Sequence, residues 1–281
     1  MTAEAYLNDY KASHDRASTI RHATESVGRL EAWLNGQPIT AAKLGDFRAH
    51  LASVTSSNNF RNMMLSHVRC YVRWLALRGE LQLTDLEIKA ALKAYPLNAR
   101  LLDVLGQDEI KRLVVAAGAY RGTKPVGALV LAGLLTGARR GELTSLALSD
   151  IDIPNRKILL SSTKTRIQRE FPLVLCGVGA RLFERLVHTH RRLCYDFRAW
   201  KDVLTAAEVK TQYKSLRATF SSYAKSAEMN PWLVDKLLAH SAAVAEKHYD
   251  RAIFGVRGQS APEWYGCEAE FQQAVEQVQL T

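Results

Sequence analysis

Residues 214–249, KSLRATFSSYAKSAEMNPWLVDKLLAHSAAVAEKHY, constrain the fold more than any other stretch of the chain. Leu216, Phe220 and Tyr223 recur at roughly helical spacing, and Asn230-Pro231 reads as an N-cap followed by a first-turn proline. The segment therefore predicts two helices joined by a turn, and packing them together brings Arg217 and His240 towards one wall. It also concentrates four side chains able to contact phosphate: Lys214, Arg217, His240 and Tyr249. Lys214 and Arg217 stand one helical turn apart.

Charge points to the same class of ligand. The chain of 281 residues has a formal net charge of +10 and a 47% apolar composition, enough for one large core or two moderate ones. The excess is uneven: +3 over residues 1–95, +10 over 96–253 and −3 over 254–281. A basic middle block suggests a polyanionic partner, nucleic acid first and an acidic membrane second. Cys70, Cys176, Cys194 and Cys267 form no C-x-x-C pair, which argues against a disulfide framework or a zinc ribbon and for a reducing cytoplasm. No signal pattern and no apolar run of membrane-spanning length is present, so no membrane partner is expected.

Along the chain, residues 1–95 predict helices near 2–13, 16–34, 40–52, 58–78 and 83–94, separated by turn signals at Asn35-Gly36, Pro38 and 53–59. In the fourth, Met64, Val68, Val72, Leu75 and Leu77 are read as one apolar face, decorated by Arg61, Arg69, Arg73 and Arg78. Two readings of those arginines are open, a phosphate-neutralising surface or a solvated basic face. A boundary is expected within Tyr95–Leu105, dividing the chain into domains 1–97 and 106–253 with a tail at 254–281. A helix follows from Gln107, then an apolar helix over Val126–Leu135 ending in Thr136-Gly137-Ala138-Arg139-Arg140-Gly141-Glu142-Leu143, where the glycines mark a turn that can present Arg139 inward.

Residues 156–174 carry the clearest strand signals, with Lys164 at the tip of a β-turn. Arg166 and Arg169 are read either as phosphate contacts or as solvated strand-face charge. A helix is expected over 178–198; His188, His190 and Cys194 lie within it, but their spacing puts no full metal-ligand set on one face. In the tail, Phe271, Ala274, Val275 and Val278 make a helical stripe that packs either on its own core or on a neighbouring protomer.

The order of these residues resembles the tyrosine recombinase (phage integrase) family. Its box T-G-x-R-x-x-E-L matches Thr136–Leu143 at every fixed position, and its carboxy-terminal pattern of H-x-x-R, leucine-glycine-histidine and a tyrosine matches 214–249, with Lys214 in place of histidine and Ala239 in place of glycine. The resemblance covers about residues 107–251; at the amino-terminal side it is one of helical type and length. It implies a mainly α fold with a small β-hairpin or three-stranded sheet, built as an amino-terminal helical core-binding domain plus a mixed α/β catalytic domain. It also implies a site of Arg139, Lys164, Lys214, Arg217, His240 and Tyr249 with Glu142 in support. DNA contacts from Arg61, Arg69, Arg73, Arg166 and Arg169 follow from the same likeness. The partners implied are double-stranded DNA with inverted half-sites, a homodimer on one site, a tetramer in synapsis, and accessory DNA-bending proteins.

The residue types suit that chemistry without a metal or cofactor. Two arginines can hold the non-bridging oxygens of a phosphorane with fixed forks and cannot be neutralised. Tyr249 would attack phosphorus to form a 3′-phosphotyrosyl link, and Lys164 would protonate the departing 5′-oxygen. A carboxylate beside phosphate would repel it, so Glu142 is read as orienting its neighbours. Lys214 can donate to the scissile phosphate as an ammonium, or it can mark a slow enzyme. Two alternatives therefore stand beside a site-specific recombinase: a catalytically weak or inactive DNA-binding protein of the same fold, and a relaxing enzyme of the type IB topoisomerase kind.

Overall fold

The computed structural model describes residues 3–97, 102–161, 168–239 and 258–280. It is mainly helical with one small antiparallel sheet, and the chain divides into two compact units, Met1–Asn98 and Ala99–Thr281.

The first unit is built from α1 (Ala3–Ser13), α2 (Ala17–Leu34), α3 (Ala41–Val54), α4 (Asn58–Leu77) and α5 (Asp85–Ala91). Three of these start on side-chain caps that satisfy the free N–H groups of a first turn. Thr40 accepts from Lys43 N at 3.2 Å, Ser57 accepts from Phe60 N at 3.3 Å, and Thr84 and Glu87 form a reciprocal capping box. Val27 and Leu30 of α2, Leu44 and Phe47 of α3, and Met64, Val68 and Val72 of α4 close over one core. Leu77 departs from the expected face and is 89% exposed. It follows Leu75 by two residues, about 200° around a helix of 3.6 residues per turn, so both cannot point inward.

In the second unit, α6 (Gln107–Ala119) leads to α7 (Val126–Thr136), every residue of which is buried. A helix apolar on all sides must be covered on all sides. Its cover comes from α6, from α10 (Phe197–Ala207) and from α11 (Tyr213–Ser226). The approach to α11 is close: a Cβ at Gly133 would lie 2.6 Å from the Tyr213 hydroxyl. After the short α8 (Arg140–Thr144) the chain forms β1 (Ile151–Asp152), β2 (Lys157–Ser161) and β3 (Gln168–Pro172), in the order β1-β2-β3. Ile158 pairs with Phe171 and Ser161 with Gln168. Ile158, Leu160 and Phe171 turn inward, the period-two burial expected of a sheet with one covered face.

The single helix expected over 178–198 is instead interrupted. A 3-10 segment, Leu173–Ala180, precedes α9 (Arg181–His188), and the chain leaves α9 through His190 at φ 52°. Asp196 then starts α10 by accepting from Arg198 N and Ala199 N, both at 3.0 Å. An aspartate ahead of an apolar run is an N-cap signal, and it marks the restart in the sequence. Then come α12 (Pro231–Leu238), α13 (Ala261–Trp264) and α14 (Glu268–Gln277). The α14 stripe of Phe271, Ala274 and Val275 packs on its own unit, close enough to α6 that a Cβ at Gly118 would meet the Ala274 Cα at 2.6 Å. Arg185 holds the tail by donating to Val275 O and, at 3.1 Å, to Val278 O.

Among the described residues, no helix is long and apolar enough to cross a membrane.

Candidate functional site

Each fixed position of the Thr136–Leu143 box has a local task. The Thr136 hydroxyl donates to Ala132 O at 2.7 Å and accepts from Ala138 N at 3.2 Å, which closes the end of α7. Gly137 ends that helix in the left-handed region at φ 59°, and a Cβ there would lie 2.8 Å from Leu238 Cδ2 and from the Phe220 ring. Leu143 anchors the following turn in the core. Between them, Arg139 sits at the entrance of α8 with its guanidinium partly open.

Glu142 fixes that arginine. Its carboxylate accepts from the Arg139 backbone N–H at 2.8 Å and from Arg139 Nη1 at 2.9 Å. The same carboxylate accepts a two-pronged bond from Arg169 on β3, Nη1 at 3.0 Å and Nη2 at 2.8 Å. Burial alone would raise the Glu142 pKa, but the Arg169 fork and then Arg139 outweigh it and bring it to about 2 from 4.5. The carboxylate is therefore ionised at neutral pH and is an orienting acceptor.

Arg217 is 4% exposed and reaches from α11 across both neighbouring helix ends. Its Nη1 donates to Gly137 O at 3.0 Å, and its Nη2 donates to Leu238 O. These are helix-terminal carbonyls left without intrahelical donors, and the arginine satisfies one on each helix. Lys214, one turn earlier on α11, is exposed.

Arg139, Lys214 and Arg217 line one cleft of about 640 Å3. Its remaining wall includes Arg140, Tyr195, Phe197, Lys201 and Tyr213. The Arg140 guanidinium lies 4.1 Å from the Tyr195 ring centroid and Lys201 Nζ lies 4.7 Å from that of Phe197, so the rim is cationic and the wall aromatic. Such a surface matches a phosphate-bearing ligand in charge.

Lys164, Arg166, His240 and Tyr249 lie outside the described residues. Arg169 departs from both readings of it as a surface group: it is 8% exposed and committed to Glu142 and, through Nε, to Leu237 O. In the first unit Arg61 donates to Ala52 O, Thr55 O and Asn58 Oδ1, with its guanidinium 5.0 Å from the Tyr95 ring, so it ties the α3–α4 connection to Tyr95. Arg69 donates to Leu65 O, while Arg73 pairs with Asp85 at 2.6 Å on the surface. Among the described residues, no group of three or more His, Cys, Asp or Glu side chains is gathered for a metal ion.

No established family profile matches the chain. Over 163 residues it is 28% identical to y4rF of Sinorhizobium fredii, a protein whose name assigns it provisionally to the integrases or recombinases. The match takes in 57% of this chain and 37% of that protein, so the chain spans well under half of its relative's length. Solved structures match more broadly. A lambda integrase (residues 75–356) dimer bound to a COC′ core site is similar at TM-score 0.69 and 16% identity, over 92% of this chain and 99% of that one. The Tn1549 transposon integrase in complex with transposon right end DNA is similar at TM-score 0.66 and 15% identity, over 90% and 96%. The XerH site-specific recombinase bound to a palindromic difH substrate gives 0.64 and 13%, over 88% and 79%. The chain has the fold of these integrases and recombinases.

Proposed function

We propose that the chain is a site-specific DNA recombinase of the tyrosine type, cleaving and rejoining duplex DNA through a covalent protein–DNA link. The observation that carries the reading is the convergence of Arg139, Lys214 and Arg217 on one cleft, with Glu142 orienting the first. Two guanidinium cations and an ammonium around one cavity suit the charge of a phosphorane, which grows as a nucleophile adds to phosphorus.

In this reading Tyr249 supplies the nucleophile. Its phenolic oxygen bonds to phosphorus as the bond to the 5′-oxygen breaks, and that oxygen takes a proton from Lys164. The product is a 3′-phosphotyrosyl ester and a free 5′-hydroxyl. His240 takes up the phenolic proton, and Lys214 donates to the phosphate where the family places a histidine. Because the ester keeps the energy of the phosphodiester, a 5′-hydroxyl from a second duplex can reverse the step without a nucleotide cofactor. Inverted half-sites, a dimer on one site and a tetramer in synapsis belong to the same proposal, as does DNA contact by the amino-terminal unit.

The test is a nicked suicide duplex drawn from the DNA that flanks the gene, incubated with the full chain in EDTA. A denaturation-resistant protein–DNA adduct is expected, lost in Tyr249→Phe while band shifts persist. Shifted bands with no adduct on any substrate would replace this reading by that of a DNA-binding protein. Relaxation of plasmids that lack the site would favour a relaxing enzyme.

A further inference from the structure

Two buried arginines meet the last turn of α12. Arg217 donates to Leu238 O, and Arg169 donates through Nε to Leu237 O. The other edge of Arg169 grips both oxygens of Glu142, which in turn accepts from the backbone and the side chain of Arg139. One guanidinium on β3 therefore touches the carboxylate that aims Arg139 and the carbonyl two residues before Ala239. Arg169 is 8% exposed, and its Nε, Nη1 and Nη2 all donate within the protein. A lysine could not make the same connection, because its donors diverge from one point whereas the planar fork spans two acceptors at opposite edges.

We infer that Arg169 is a positioning residue for phosphoryl transfer in the cleft: through Glu142 it sets the direction of Arg139, and through Leu237 O it holds the exit of α12 in register with that arginine. β3, the Thr136–Leu143 turn and the end of α12 then keep one fixed arrangement. The inference rests on the phosphoryl-transfer reading, and it assigns to Arg169 a task apart from phosphate contact.

A purely structural arginine would lower the amount of folded protein and nothing more. An aiming arginine makes a different prediction, because the need for Arg139 depends on the charge of the phosphate. Replacing one non-bridging oxygen by methyl removes that charge, so a badly aimed guanidinium costs less on a methylphosphonate than on a phosphodiester. The experiment compares the unsubstituted full chain with Arg169→Lys, Arg169→Gln and Glu142→Gln. Each is given suicide duplexes carrying either linkage at the scissile position, with both methylphosphonate diastereomers tested. Adduct formation is timed per folded molecule, with folding followed by circular dichroism.

Arg169→Lys is expected to slow adduct formation on the phosphodiester by about 100-fold, the scale of a small misplacement of a catalytic group. On one methylphosphonate diastereomer most of that loss should disappear, with Glu142→Gln showing the same pattern. Equal losses on both linkages, or no loss at all, would overturn the inference while leaving the proposed function standing. No adduct from the unsubstituted chain would remove both. If Arg169→Gln does not fold, Arg169→Lys keeps the charge and decides the matter.

Discussion

Glu142 and Arg169 face each other across 27 residues of chain, both carboxylate oxygens accepting from both terminal guanidinium nitrogens, with 1% and 6% of the respective side chains exposed. A pair this deep is costly to break from one side only. Removing one partner strands an uncompensated charge, at about 3–5 kcal/mol, whereas replacing both by apolar groups is far milder. Urea denaturation of Glu142→Ala should show a loss of that size, and Glu142→Leu combined with Arg169→Met should recover much of it. A double variant as unstable as the single one would contradict the account.

The same pair makes stability depend on pH. The folded-state pKa of Glu142 is depressed to about 2 from 4.5, so its contribution is complete above 4.5 and is lost as pH falls towards 2. The difference in unfolding free energy between the unsubstituted chain and Glu142→Gln should therefore be constant from pH 7 to about 5 and shrink below it. A difference that stays flat to pH 2.5 would show that the carboxylate is not held ionised by its arginines.

Two helix ends predict substitutions of opposite sign. Ala239 closes α12 at φ 48°, where a side chain costs about 1–2 kcal/mol, so Ala239→Gly should raise stability by about 1 kcal/mol after glycine's extra unfolded-state freedom is subtracted. Gly137 closes α7 at φ 59° with Leu238 and Phe220 within 2.8 Å of a prospective Cβ, so Gly137→Ala should destabilise by about 2 kcal/mol or more. Thermal melts of both variants check the pair.

In the first unit, the arginines of α4 should separate by what they touch. Arg61→Ala removes donors to two carbonyls and to Asn58, and should cost about 2 kcal/mol. Arg73→Ala loses one exposed ion pair and should leave stability almost unchanged. If α4 contacts DNA, Arg73→Ala should instead flatten the salt dependence of binding by about one unit of log–log slope, measured by titration from low to moderate salt.

For Arg217, the fork matters more than the charge. Arg217→Lys keeps the cation but cannot reach both Gly137 O and Leu238 O, and it should lose about 100-fold in adduct formation, the scale of a small misplacement of a catalytic group. Retention of full cleavage by Arg217→Lys would show that bridging Gly137 O and Leu238 O is not needed for the reaction.

The sequence by itself determined most of the helical segments, where several of them begin, and, Leu77 apart, which faces of the amino-terminal helices turn inward. Those properties are local: Thr40, Ser57 and Thr84 cap the turns that follow them, and Val68 and Val72 share a face because four residues make roughly one turn. The box at 136–143 was legible for the same reason, since Gly137 and Glu142 act within a few residues of Arg139. Only the tertiary structure decided the rest. Arg169 looks like any strand-face charge until β3 meets Glu142 of α8 and the end of α12, and the docking of α14 on α6 depends on which surface arrives to cover it. Burial and ion pairing are relations between elements distant in the chain, so the partner of Glu142 could be known only once the fold had brought it there.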